Sequence, residues 1–141
     1  MKLLIVATLL LASGVIDHQQ PQPRKVAKQR GSMARPDLVV QSVALINAEQ
    51  GEFVVAVRNR GKGQAANCYL RLTILDSEGK QILKITDVRQ PPLKANESAN
   101  LNIRAQISLS SLRYILATDA MNQILETNDR NNSFNGDIEK Y

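Results

Sequence analysis

The chain has 141 residues, of which 43% are apolar, 22% charged and 4% aromatic, enough for one globular domain with short extensions. With no Trp, one His and one Cys, it lacks the parts for multi-ligand His/Cys metal sites, disulfide frameworks and Ser-His-Asp triads, so a non-enzyme is expected. The formal charge of +5 is uneven: residues 15–35 hold Arg24, Lys25, Lys28, Arg30 and Arg35 against Asp17, whereas residues 36–135 hold 11 bases and 10 acids. A near-neutral body with few aromatics does not point to nucleic acid as a partner.

Lys2 precedes an apolar stretch from Leu3 to Ala12 and the small residues Ser13 and Gly14. Ten residues are too few to cross a hydrocarbon core, which takes roughly 20, but they suit an export signal. Residues 1–14 are therefore expected to be a signal peptide cleaved after Gly14, with an uncleaved anchor as the alternative. The product would be exported, periplasmic or secreted, and without a stable membrane span after processing. Residues 15–35, rich in Gln, Pro, Lys and Arg, cannot bury enough surface to order themselves and read as a basic flexible tether. The tether is either a solvated spacer or an arm for anionic polymers or nucleic acid. His18 lies in it, without ordered neighbours to activate it.

From Pro36 onward short alternating runs are separated by turn residues, the pattern of strands. The expected strands are Leu38–Ile46, Phe53–Val57, a third in which Ala66, Cys68, Leu70, Leu72 and Ile74 share a face, Gln81–Thr86, and a fifth with Ala99, Leu101 and Ile103 inward. Asp76-Ser77-Glu78-Gly79 fits a hairpin loop with a positive φ at Gly79, and Pro91-Pro92 stops the fourth strand. A sixth strand covers Arg113–Thr118, and a seventh begins near Gln123 and resumes at Asn132–Phe134. Seven strands at these intervals imply an all-β, seven-stranded antiparallel immunoglobulin-like β-sandwich over residues 36–135, with a C-terminal tail at 136–141. Cys68, on the apolar face of the third strand, is expected to be a buried, protonated thiol.

Three stretches in order resemble the CARDB family of bacterial cell-adhesion-related domains, which have an immunoglobulin or fibronectin type III-like sandwich. Pro36-Asp37-Leu38-Val39-Val40 is similar to the family's opening, and Val55-Ala56-Val57-Arg58-Asn59-Arg60-Gly61 to its strand ending in Asn-x-Gly. In the closing stretch, Asp119, Asn122, Ile124, Glu126, Asn128, Asp129, Asn131 and Asn132 follow the family pattern with about one extra residue after the first Asp. Leu93 to Ser98 resembles its Leu-x-x-Gly-Glu-Ser turn, with Asn96, which tolerates the left-handed conformation, in place of Gly.

Side chains of Asn and Asp bond to backbone in turns, so Asn59, Gly61, Asn128, Asn131 and Asn132 are expected to lock turns, and Tyr114 to bond back to the preceding loop as a tyrosine corner. The alternative for Asp119, Glu126, Asn128, Asp129 and Asn131 is a calcium site built from clustered oxygens, although no EF-hand spacing supports it. No other cofactor is expected. The resemblance implies a non-enzymatic exported module that presents loops to an envelope protein or glycan. The alternatives are a small assembly subunit that docks through a sheet edge and anionic-polymer binding through the basic arm.

Overall fold

A computed structural model describes residues 33–138. The expected signal peptide, all but the last three residues of the tether, and residues 139–141 lie outside the described residues. The alternation seen in the sequence becomes seven strands: β1 (Leu38–Asn47), β2 (Glu52–Asn59), β3 (Cys68–Leu75), β4 (Ile82–Gln90), β5 (Ser98–Arg104), β6 (Leu112–Ala117) and β7 (Ser133–Ile138). They form two antiparallel sheets, ordered β1-β2-β5 and β4-β3-β6-β7. The architecture is the immunoglobulin-like sandwich that the spacing of the strands implied.

Period-two burial is cleanest in β3, where Cys68, Leu70, Leu72 and Ile74 are fully buried. Opposite them, β2 contributes Phe53, Val55 and Val57, while Leu38 and Ile103 enter from β1 and β5. Each aliphatic side chain taken out of water stabilises the fold by about 1.5–3 kcal/mol before ordering entropy is subtracted. In β1 the pairing shifts register between Val40 and Ser42, so Val40 and Val43 both face inward across an extra residue, Gln41. Such bulges also roughen an edge strand against further pairing.

Three expectations are corrected. Ala66 does not share the face of β3; it is exposed, and the neighbouring Ala65 instead bridges Leu93 while Ala66 and Asn67 lead into the strand. No strand starts near Gln123: residues 118–132 form a loop with a short 3-10 turn at Asp129–Asn131, because their polar side chains bind backbone locally. The last strand runs on through Gly136, Asp137 and Ile138, which had been placed in the tail. Ile138 is nearly buried and completes the core, a stronger demand than the polar appearance of Ser133–Asp137.

Tyr114 is also not a tyrosine corner. It sits mid-strand in β6, where alternation turns its ring inward onto Phe53, with centroids 5.0 Å apart, and alongside Phe134 at 6.4 Å. Its ring lies directly over Gly136, where a Cβ would collide with it. Among the described residues its hydroxyl joins no hydrogen bond, and burial, followed by the charge of Asp137, pushes the phenol above its usual range.

The burial difference between two leucines gives a test of this packing. Leu72→Ala, at a fully buried site, is expected to lower stability by about 2–5 kcal/mol, and Leu101→Ala, at a partly buried one, by less. Urea denaturation of both variants checks the order; equal losses would contradict it.

Candidate functional site

One end of the sandwich gathers the start of β1, the loop from β2 to β3, the loop from β4 to β5 and the loop from β6 to β7. Most of the residues singled out from the sequence lie here. The first two of these loops carry the chain from one sheet to the other, so apart from the Ala65–Leu93 bridge they have no ladder partner and their other backbone groups must be met in another way.

Asn59 meets them. Its side chain is fully buried at the end of β2. Oδ1 accepts from the amides of Asp37 and Gly61, each at 3.0 Å, and Nδ2 donates to the carbonyls of Gly63 (2.7 Å), Leu93 (3.1 Å) and Lys94 (3.1 Å). Its backbone amide donates to Glu97 O at 2.9 Å. One residue therefore joins the entry to β1, its own loop and the β4–β5 loop. Gly61 and Gly63 permit this because the backbone at Ala34–Asp37 passes where their Cβ atoms would sit. In the β4–β5 loop, Asn96 takes a positive φ of 62°, as expected for Asn in the place of Gly.

The β6–β7 loop is held by its own acids and amides. Asp119, with φ 45°, accepts from the amides of Gln123 and Ile124 at 2.9 Å each, one per carboxylate oxygen. Glu126 reaches across the sandwich to accept from the amide of Leu38 with one oxygen and from Asn132 Nδ2 at 2.7 Å with the other. Asn128 caps the 3-10 turn through the amide of Arg130 at 3.1 Å. Asn131 donates to Asp37 Oδ1 at 2.8 Å. These bonds tie the last loop to the first strand. Burial pushes the Glu126 carboxyl above its ordinary 4.5; the bonds from Leu38 and Asn132 oppose that shift, and the charges of Asp119 and Asp129 add to it.

Some of the oxygens that would ligate calcium are thus engaged elsewhere, while Asn131 Oδ1 has no partner among the described residues. Asp119 and Glu126 spend both carboxylate oxygens on protein donors, while Asp129 is exposed on the 3-10 turn. Among the described residues no three His, Cys, Asp or Glu side chains converge as a metal site. Cys68 is buried at the start of β3, and burial pushes its thiol up to about 11, so it stays protonated.

A set of residues missed from the sequence lies on the same end: Arg35, Arg58, Arg60 and Lys62 line two shallow hollows around the stapled loop. Three of them fall at alternate positions in five residues, a local signal hidden by summing charge over the whole body.

The match of sequence pattern, strand order and loop locks extends to comparison with known proteins. The CARDB family model matches residues 35–136. The chain belongs to the CARDB family. Its fold is similar to the crystal structure of the CARDB domain of PF1109 from Pyrococcus furiosus, a protein in complex with di-metal ions, at 21% identity and TM-score 0.56, covering 76% of this chain and 90% of that one. A solution structure of the same archaeal domain aligns at 22% identity and TM-score 0.56 over 77% of this chain and 98% of that one. The 272–376 domain of a protein assigned to the cell surface of Methanosarcina acetivorans aligns at 17% identity and TM-score 0.57, over 76% and 93% of the two chains. A comparison with curated proteins gives no match. CARDB domains are cell-surface, adhesion-related modules, and among the described residues of this member no helix is long and apolar enough to cross a membrane.

Two measurements test the locks. Asn59→Ala is expected to cost at least about 3 kcal/mol, since it strands several buried backbone groups at once. Asn59→Asp should cost about as much despite equal volume, because an oxygen would face three carbonyls; an Asp variant as stable as the parent would refute the network. Glu126→Gln should lose about 1–3 kcal/mol at neutral pH, because an amide NH2 cannot accept from one of the two donors. A carboxyl raised in the folded state adds stability that is complete below 4.5 and lost as pH rises through the folded value. The urea midpoint of the parent should therefore gain on that of Glu126→Gln as pH falls from 8 to 4.5, and a gap that shrinks toward acid would contradict the assignment.

Proposed function

We propose that this CARDB domain is a non-catalytic, exported binding module of the bacterial envelope, which presents the loops of its stapled end to a surface partner. The observation that carries this reading is the use to which the acids and amides of the closing motif are put. Asp119, Glu126, Asn128 and the Nδ2 groups of Asn131 and Asn132 are spent on backbone or on one another. Residues held this way are scaffolding, with no activated nucleophile or acid-base pair among them. What they build is a set of loops fixed in position, which lowers the ordering entropy that binding would otherwise have to overcome.

Export is supported by the sequence from Lys2 to Gly14 and by the surface setting of the family. A spacer of residues 15–35 would hold the domain clear of whatever the N-terminus is attached to during translocation.

The test is fractionation of a bacterial host that expresses the full chain, followed by sequencing of the product's N-terminus and incubation of the product with purified cell envelopes. A chain recovered outside the cytoplasm, beginning near Val15 and retained on envelopes, supports the reading. Full-length protein confined to the cytoplasm, or a processed product that washes freely off envelopes, would overturn it.

A further inference from the structure

Two adjoining hollows at the stapled end share Arg60. The larger, of about 530 Å³, is lined by Arg35, Asp37, Arg60, Lys62 and Thr127 among others. The second, of about 490 Å³, is lined by Gln41, Arg58, Arg60, Asn131 and two valines of β1. Four cations therefore face this surface against one carboxylate, and that carboxylate, Asp37, already accepts from Asn131 Nδ2 at 2.8 Å.

Of the eight other bases among the described residues, four are held in ion pairs and Lys84, Arg89, Lys94 and Arg130 are not. Arg71 pairs with Asp87, Lys80 with Glu78, Arg104 with Glu52 and Arg113 with Asp137. Arg35, Arg58, Arg60 and Lys62 take part in none of these, which are the ion pairs among the described residues. Two polar atoms of the second hollow, Arg58 Nε and Asn131 Oδ1, are buried and have no protein partner among the described residues. Buried polar groups are nearly always satisfied, so two unpaired atoms beneath one open hollow leave hydrogen-bonding capacity there.

The backbone beneath these side chains is fixed. Alternation in β2 buries Val57 and Asn59 and so turns Arg58 outward, across from Val39 of β1. The amide of Arg60 donates to Asp37 O at 2.7 Å, and those of Lys62 and Gly63 to Arg35 O at 3.1 and 3.0 Å. The backbone positions from which the four cations project are set before any ligand arrives.

We propose that this surface binds a carboxylate-bearing polysaccharide, with Arg58 and Arg60 gripping the carboxylate of an acidic sugar and Gln41, Asn131 and Thr127 bonding its hydroxyls. Guanidinium presents a planar fork that matches a carboxylate. Amide and hydroxyl side chains both donate and accept, which is what neighbouring sugar hydroxyls require. No aromatic side chain lines either hollow, so nucleobases would find no stacking platform. The assignment rests on the envelope-binding reading above and names the class of ligand.

The experiment measures binding of the full chain to polygalacturonate, with dextran, polyglutamate and double-stranded DNA as comparison polymers. Polygalacturonate is expected to bind at least ten-fold more tightly than each of the other three. The Arg58→Gln/Arg60→Gln variant should lose at least ten-fold of that affinity with its thermal midpoint unchanged, and Lys80→Gln, at the far hairpin, should lose nothing. Arg60→Glu, at an exposed position, tests the same site should the double variant unfold, and is expected to abolish binding. Equal affinity for polyglutamate or DNA, full affinity in both arginine variants, or loss of binding only when residues 15–32 are deleted would each overturn the proposal. Envelope retention that survives the arginine substitutions sinks this site alone, whereas absence of retention in the parent chain sinks the wider reading.

Discussion

The ends of a β-sandwich pose a backbone problem that its core does not. In the central strands each amide and carbonyl has a ladder partner, but a loop that crosses from one sheet to the other leaves the ladder and stays half-buried. Asn59 resolves this at the point where two such crossings meet the entry to β1, because its amide side chain accepts with one atom and donates with the other. Asp has no donor at that position, and Gln would displace the head group by a methylene. The Asn-x-Gly signature is therefore a geometric requirement: a buried amide followed at once by a residue without a Cβ, so that the incoming strand can lie against the loop.

Glu126 performs a related task from the other side. Its oxygens join the amide of Leu38 to the side chain of Asn132, so the last loop is tied to the first strand across 88 residues of sequence. Together the two side chains convert four separate segments into one rigid end. A buried carboxylate is a less favourable tool than an amide, as the upward push on its titration shows, and it holds because both oxygens are satisfied. Rigidity at this end fixes the backbone positions that carry the cations around Arg60, which is the physical link between the architecture and the binding role proposed for it.

The strands were legible in the sequence where burial is two-sided and the alternation unbroken. Cys68 to Ile74 is the clearest case, and Asn59 could be read as a turn lock because its residue type and the adjacent glycine leave few other uses for it. The seventh strand was misplaced because Gln123, Ile124 and Leu125 have β-like composition, whereas the ladder goes to Ser133–Ile138, a polar edge strand anchored by one nearly buried isoleucine. Tyr114 was assigned by analogy of position to a hydrogen bond, but strand parity decides where a side chain points, and parity sends this ring to Phe53. The cation cluster was lost by averaging: the body is near neutral in sum, yet Arg58, Arg60 and Lys62 fall together and in none of its four ion pairs among the described residues.

Amide hydrogen exchange at Asp37 and Gly61 addresses the Asn59 junction most directly. Neither residue lies in a strand, and both amides donate to the Asn59 side chain. Protection of both to nearly the free energy of global unfolding, matching the amides of β3, is the outcome the account predicts. Exchange at the rate of an open surface loop, with β3 still protected, would contradict it.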